Sequence, residues 1–177
     1  MAGVLIVILE AALLSLMAGM LVFSLFMLFG LISFAPYVHS GRRKMLSMLD
    51  MAQVKPGMNV LELGSGNGDL CLWSAERGAT ATGLEINPLL VWWSRIKAWR
   101  CGAQSCKFLC CNIWRTAFPP QTDAVFIYGM PEKMDPLWRK MGRELKPGTL
   151  VVSHAFTFPG QTPEQERGNV RLYRLGS

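Results

Sequence analysis

Asn59-Val60-Leu61-Glu62-Leu63-Gly64-Ser65-Gly66-Asn67-Gly68-Asp69 carries the chain from a strand through a glycine turn into a helix, and the fold follows from it. Val60, Leu61 and Leu63 make a short apolar strand. Three glycines within five positions then turn the chain into a helix over residues 70–77, which Gly78 stops. Without a Cβ, Gly64, Gly66 and Gly68 let the backbone approach a ligand closely, and the helix start behind them presents unpaired N–H groups. A dinucleotide-binding turn calls for G-x-G-x-x-G with the third glycine packing helix on strand. Here the spacing is G-x-G-x-G and Asp69 takes the place of that third glycine, which argues against a nicotinamide cofactor.

On either side of the turn the same alternation continues. Residues 79–86 read as a second strand closing on Glu85-Ile86-Asn87, and Pro88 opens a helix. Strands follow at 107–111 and 123–128, and Pro131 opens a helix with Met134, Leu137, Trp138, Met141 and Leu145 as its inward stripe. Lys146-Pro147-Gly148 turns the chain into a fifth strand, 149–155, and Val170 to Leu175 alternates as a closing strand. Upstream, residues 43–53 form an amphipathic helix with Met45, Leu46, Leu49 and Met51 inward, ended by Lys55-Pro56-Gly57. Strands alternating with helices imply an α/β fold, a parallel sheet covered on both faces, whose ligands bind at the carboxyl ends of the strands. In the helix after Pro88, Leu89, Trp92, Trp93, Ile96 and Trp99 recur at helical spacing; the tryptophans read as core or membrane-interface packing in preference to a base-stacking platform.

The composition is too apolar for an ordinary soluble domain: 177 residues, 51% hydrophobic and 17% charged, with a mean hydropathy of +0.26. The excess is concentrated at the start. From Ala2 to Gly41 the ionisable side chains are Glu10 and His39, and residues 11–36 carry none. Such a run exceeds the roughly 20 residues that cross about 30 Å of hydrocarbon. A cleaved signal peptide would have a basic start and a shorter apolar core, and a buried core helix would have a polar face. Residues 1–36 are therefore expected to be a transmembrane anchor. Arg42, Arg43 and Lys44 follow at once, so the positive-inside rule predicts an N-out, C-in topology, with the remainder in a bacterial cytoplasm or a mitochondrial matrix.

Residues 42–177 hold 18 basic and 11 acidic side chains, a net +7. Tethered beside a membrane, that charge points to an anionic lipid surface as counter-surface and not to nucleic acid. Cys71, Cys101, Cys106, Cys110 and Cys111 are odd in number and lack paired C-x2-C spacing, so neither a disulfide framework nor a metal site is expected.

The run Glu62-Leu63-Gly64-Ser65-Gly66-Asn67-Gly68 resembles motif I of the class I S-adenosylmethionine-dependent methyltransferases, which implies a Rossmann-like sheet and S-adenosyl-L-methionine as cofactor. Glu85 stands 21 residues after Gly64, where the resemblance implies a carboxylate accepting both ribose hydroxyls, with Ile86 beside it. Asn112 stands where that family often has an acid bonding the adenine amine, next to Ile113, with Trp114 near enough to stack. The cofactor-binding set implied is thus Glu62, Gly64, Ser65, Gly66, Asn67, Gly68, Glu85, Ile86, Asn112 and Ile113. Ala35-Pro36-Tyr37-Val38, Gly83-Leu84-Glu85-Ile86-Asn87-Pro88, Ser94-Arg95, Cys111-Asn112-Ile113-Trp114 and Tyr128-Gly129-Met130-Pro131 narrow the likeness to membrane-anchored protein lysine methyltransferases of the adenine nucleotide translocase and ATP synthase c-subunit type. Departures are Asn67 and Asn112 in place of acids, and a different C-terminal tail.

The resemblance implies an N-methyltransferase acting on lysines of membrane proteins, with residues 37–57 a basic juxtamembrane segment and amphipathic helix and residues 58–177 the methyltransferase domain. Tyr128, Gly129, Met130 and Pro131 fall where this fold presents its substrate contacts, and Tyr128 is the candidate catalytic residue, orienting the amine by hydroxyl or ring face. His154 is a candidate proton acceptor, and Glu132 complements a helix dipole. Competing readings are methylation of a lipid or quinone headgroup, and a non-catalytic membrane scaffold that retains the fold. Nucleic-acid methylation is disfavoured, because Gly129-Met130-Pro131 stands where an Asn/Asp-Pro-Pro-aromatic motif would be. No oligomeric state follows from the residues.

Overall fold

The structure is a computed structural model that describes residues 2–32, 41–129 and 131–176. Ala35, Pro36, Tyr37, Val38, His39 and Met130 lie outside the described residues. The chain divides into two compact units, residues 1–32 and 33–177. The first is one helix, α1 (Ala2–Ile32). Its stretch Gly3–Leu25 has a mean hydropathy of 2.5 and is long and apolar enough to cross a membrane.

The second unit is a mixed α/β sheet. Its elements run α2 (Arg42–Met51), β1 (Asn59–Leu63), α3 (Asp69–Glu76), β2 (Thr80–Glu85), α4 (Pro88–Arg100), β3 (Cys106–Cys110), β4 (Ala124–Ile127), α5 (Pro131–Glu144), β5 (Leu150–His154), β6 (Gln165–Arg167) and β7 (Val170–Arg174). The seven strands lie in the order β3-β2-β1-β4-β5-β7-β6. Strands β1 to β5 are parallel, β7 runs antiparallel to β5, and β6 antiparallel to β7. From β1 the chain winds outward to β2 and β3, then returns to place β4 on the other side of β1. That reversal opens a crevice at the carboxyl ends of β1 and β4.

Two apolar layers cover the sheet. On one face Met45, Met48 and Leu49 of α2, Leu70 and Leu72 of α3 and Val91 and Ala98 of α4 pack on Val60, Ala81, Phe108 and Phe126. On the other, Met134, Leu137 and Met141 of α5, with Ile113, Phe118 and Phe158 from loops, pack on Leu61, Leu63, Val125 and Val151. The expected amphipathic helix 43–53 is thus α2, with Met48 buried and Leu46 partly so.

Two features are visible only in the fold. Residues 155–169 carry no apolar alternation, yet Gln165–Arg167 pairs with β7 as an edge strand; all three of its side chains are exposed. Backbone pairing and the cross-strand Arg171–Glu166 ion pair make that strand without apolar burial, so periodicity carries no sign of it. More consequentially, α4 buries Val91, Ser94 and Ala98, so of the two packings read for its tryptophans the core is excluded. Trp92 is 62% exposed, Trp93 46% and Trp99 82%, with Leu89 at 44%. Small residues bring this helix close to the sheet, so the large ones face outward.

Candidate active site

The turn after β1 is pinned from four sides. The Gly64 and Ser65 amides both donate to the Leu84 carbonyl, at 2.8 and 3.0 Å. The Gly66 amide donates to Glu85 Oε2 at 2.9 Å, and the Asn87 amide to Glu85 Oε1 at 2.8 Å. Ser94 of α4 donates to the Gly66 carbonyl at 3.1 Å. Lys97 reaches back to the Asn67 carbonyl at 3.0 Å and pairs with Asp69, which also accepts from the Asn67 amide nitrogen at 2.8 Å. The sequence signals that place Glu85 here are local: β2 ends on it, and Asn87 then caps α4, accepting from the Leu89 amide ahead of Pro88 at the first helical position.

The glycines of the turn do different things. Gly64 has a φ of +77° and a Cβ there would meet nothing within 4 Å, so it lies against open space at the end of β1. Gly68, with the same φ, is closed in: a Cβ would stand 2.6 Å from Phe108 Cε1 and 2.9 Å from Ser94 Cβ. Gly68 is where α3, α4 and β3 meet. Gly83 likewise leaves room for Ser65, whose Oγ would lie 2.7 Å from a Cβ at that position.

Glu62 lies beneath the turn and accepts a hydrogen bond from the Cys71 thiol at 3.1 Å. Burial, offset in part by the Cys71 hydrogen bonds and aided by the nearby Asp69 and Glu85 charges, pushes its carboxyl up to about 8. It is therefore largely protonated at neutral pH. Burial likewise pushes the Cys71 thiol well above its ordinary value, reinforced by Glu62.

At the ends of β4 and β5 a second group assembles. The Tyr128 and His154 rings stack with centroids 5.1 Å apart, and Phe156 meets Tyr128 edge-on at 6.2 Å. Phe156 comes back toward Tyr128 because Ala155 adopts a φ of +73°, a turn uncommon for a residue with a Cβ, and Ser153 Oγ donates to the Phe156 carbonyl. His154 is buried and its Nδ1 has no partner; burial and the Lys44 charge hold it below the ordinary histidine value. It is thus neutral at pH 7. Gly129 is buried and Pro131 starts α5 exposed.

After β3, Asn112 Oδ1 accepts from the Trp114 amide at 2.9 Å, folding the loop, and Ile113 is buried in the apolar layer that α5 covers. Ile86 follows β2 directly, and its carbonyl accepts from the Cys110 thiol at 3.7 Å. The geometry thus gathers Glu62, the glycine turn, Glu85 and Tyr128 along the carboxyl edge of the sheet. Motif reading did not single out Cys71, Asn87 or Phe156; Asn87 joins the site through a local contact two residues from Glu85, whereas Cys71 and Phe156 join it through contacts that only the fold makes.

The residues present suit an adenosyl group with an amino-acid tail. Each Glu85 oxygen accepts one N–H and retains a lone pair for a hydroxyl donor. Ser65 Oγ is buried with no partner, and open space adjoins Gly64.

A model of the ANTKMT methyltransferase domain matches residues 62–165. The chain is 35% identical over 134 residues to the human ATP synthase c-subunit lysine N-methyltransferase, covering 75% of this chain and 57% of that one. It is 32% identical over 133 residues to the mouse adenine nucleotide translocase lysine N-methyltransferase, covering 72% and 56%. The chain therefore spans somewhat over half the length of these curated relatives. Among solved structures, an RNA methyltransferase from Salinibacter ruber in complex with S-adenosyl-L-homocysteine superposes with a TM-score of 0.72 at 27% identity, covering 78% of this chain and 92% of that one.

Proposed function

Since the chain belongs to the ANTKMT methyltransferase domain family, we propose that it is a membrane-anchored, S-adenosyl-L-methionine-dependent N-methyltransferase whose substrate is a lysine of a membrane protein. The observation that carries this reading is the pairing of a Glu85-braced glycine turn with the Tyr128–His154–Phe156 cluster on one sheet edge. In this reading residues 1–36 are the anchor, 37–57 the basic juxtamembrane segment and amphipathic helix, and 58–177 the catalytic domain. The domain lies on the cytoplasmic or matrix side beneath Arg42-Arg43-Lys44 and faces an anionic lipid surface.

When bound, the cofactor supplies a sulfonium methyl open to in-line displacement. Glu85 holds its ribose, with Ile86 at the strand end; Asn112 and Ile113 flank its adenine. Glu62 and the turn Gly64, Ser65, Gly66, Asn67 and Gly68 hold its amino-acid end. Tyr128, with Gly129, Met130 and Pro131, receives the lysine.

A free lysine amine has a pKa of about 10.4 and must lose a proton before it attacks. Burial against Tyr128 and Phe156 favours the neutral amine, and a neutral His154 adds no opposing charge while its Nδ1 offers an acceptor. Positioning and exclusion of water do the remainder.

The test uses full-length protein, membranes lacking it, and methyl-labelled S-adenosylmethionine. Label and methyl mass increments on lysine of a membrane protein are expected. Label in the organic extract instead would turn the assignment to a lipid or quinone headgroup, and absence of cofactor binding would turn it to a scaffold.

A further inference from the structure

The outer face of α4 is an exposed apolar feature that the methyl-transfer reading leaves unused. Leu89, Trp92, Trp93, Ile96 and Trp99 fall within one stripe of that helix, and the opposite stripe is the one that packs on the sheet through Val91, Ser94 and Ala98. An exposed apolar ridge of this kind, backed by a fully packed inner face, marks a surface that meets something other than water. At its C-terminal end the ridge joins a groove of about 410 Å³ whose walls include Ala98, Trp99, Ala103, Phe108 and Leu109.

We propose that this ridge seats in the headgroup and upper acyl region of an anionic bilayer. Three observations choose lipid as the occupant. Tryptophan, with an apolar ring and one polar N–H, is the side chain enriched at membrane–water interfaces, and three of the chain's six lie here. From residue 88 to residue 122 there is no Asp or Glu, whereas Arg95, Lys97, Arg100, Lys107 and Arg115 are all present. Of these, Lys97 is neutralised by Asp69, and Arg95 donates to the Phe108 carbonyl and so keeps its charge. Arg100 and Lys107 are exposed and stand beside the ridge and the groove, complementary to anionic headgroups. Finally, the same chain carries α1, long and apolar enough to cross a membrane.

Seating α4 also bears on the site, because the helix begins at Asn87, whose amide holds Glu85. The first ridge residues, Leu89, Trp92 and Trp93, are within two turns of that carboxylate in sequence. A lipid-seated α4 therefore sets the cofactor edge of the crevice at the bilayer surface.

The experiment is fluorescence of the full chain reconstituted in phosphatidylcholine vesicles containing phosphatidylglycerol, with and without bromine on the upper acyl carbons. Helix α1 contains no tryptophan, so quenching reports the second unit alone. The bromolipid should quench roughly half of the wild-type emission, since half the tryptophans are on the ridge. It should hardly quench the Trp92→Ala/Trp93→Ala/Trp99→Ala variant. Arg100→Glu/Lys107→Glu should weaken the wild-type quenching in these vesicles. Equal fractional quenching of wild type and triple variant overturns the proposal. So does wild-type emission quenched by aqueous acrylamide and indifferent to bromolipid, and so does ridge burial that persists in detergent with a doubled particle mass, which would make a second copy the occupant. Should the triple variant fail to fold, Trp99→Ala, at the most exposed position, gives the same comparison. None of these readouts needs methyl transfer.

Discussion

Glu85 Oε2 accepts a hydrogen bond from the Gly66 amide at 2.9 Å, across 19 residues of chain. One carboxylate thus shapes the glycine turn while each of its oxygens keeps a lone pair free of those two N–H donors. Replacing it by alanine leaves the Gly66 and Asn87 amides without their partner, at a cost of about 1–3 kcal/mol of stability. In the proposed role Glu85→Ala abolishes S-adenosylmethionine binding with the fold retained, and Glu85→Gln retains weak binding. Calorimetry beside circular dichroism checks both; wild-type affinity in the alanine variant would remove Glu85 from the site.

Glu62 makes stability depend on pH. Its native pKa, about 8, stands above the ordinary 4.5, so the folded state binds this proton more tightly than the unfolded state does. The contribution is complete below about 4.5 and is lost as pH rises through about 8. Glu62→Gln, which cannot ionise and still accepts from Cys71, is therefore expected to be more stable than wild type at pH 8 by at least about 1 kcal/mol. The gain should shrink as pH falls and vanish below about pH 4, under the ordinary 4.5. Urea titrations at the two pH values measure it.

Gly64 and Gly68 share a φ of +77° and should respond differently to alanine. Both lose about 1 kcal/mol to the left-handed backbone. At Gly68 the new methyl also collides with Phe108 and Ser94, adding about 1–3 kcal/mol of overpacking. Gly64→Ala should stay folded and lose cofactor affinity, whereas Gly68→Ala should lower the melting temperature more. Thermal melts and binding titrations on the pair separate the two effects.

Tyr128, His154 and Phe156 should govern turnover and not cofactor affinity. Tyr128→Ala or Phe156→Ala is expected to lower kcat by about tenfold or more, with the dissociation constant for S-adenosylmethionine unchanged. For His154→Ala, loss of the neutral acceptor should shift the rise of kcat with pH to higher pH. A parallel loss of cofactor binding in these variants would separate the aromatic cluster from the lysine channel.

Where sequence and structure agree, the information is local. Glycines after an apolar strand, Pro88 and Pro131 at helix starts and Lys-Pro-Gly turns before β1 and β5 each bias a few neighbouring dihedrals, and the element order follows. Glu85 can be read from sequence for the same reason: it ends a strand at a set distance from the turn. Cys71, by contrast, reads as a small hydrophobe until Glu62 is seen against its thiol. Phe156 enters only because Ala155 reverses the chain after His154.

The apolar N-terminal helix, the alternating α/β order and the motif at Gly64 to Gly68 are all written in the residues alone, as run length, hydrophobic period and glycine spacing. Which side of α4 faces in is not; that is settled by packing. Its period of large apolar residues is genuine, but a helix lies closest to a sheet through its smallest side chains, and Val91, Ser94 and Ala98 take that contact. The tryptophans are consequently turned outward, and a pattern that reads equally as core or as interface becomes a surface.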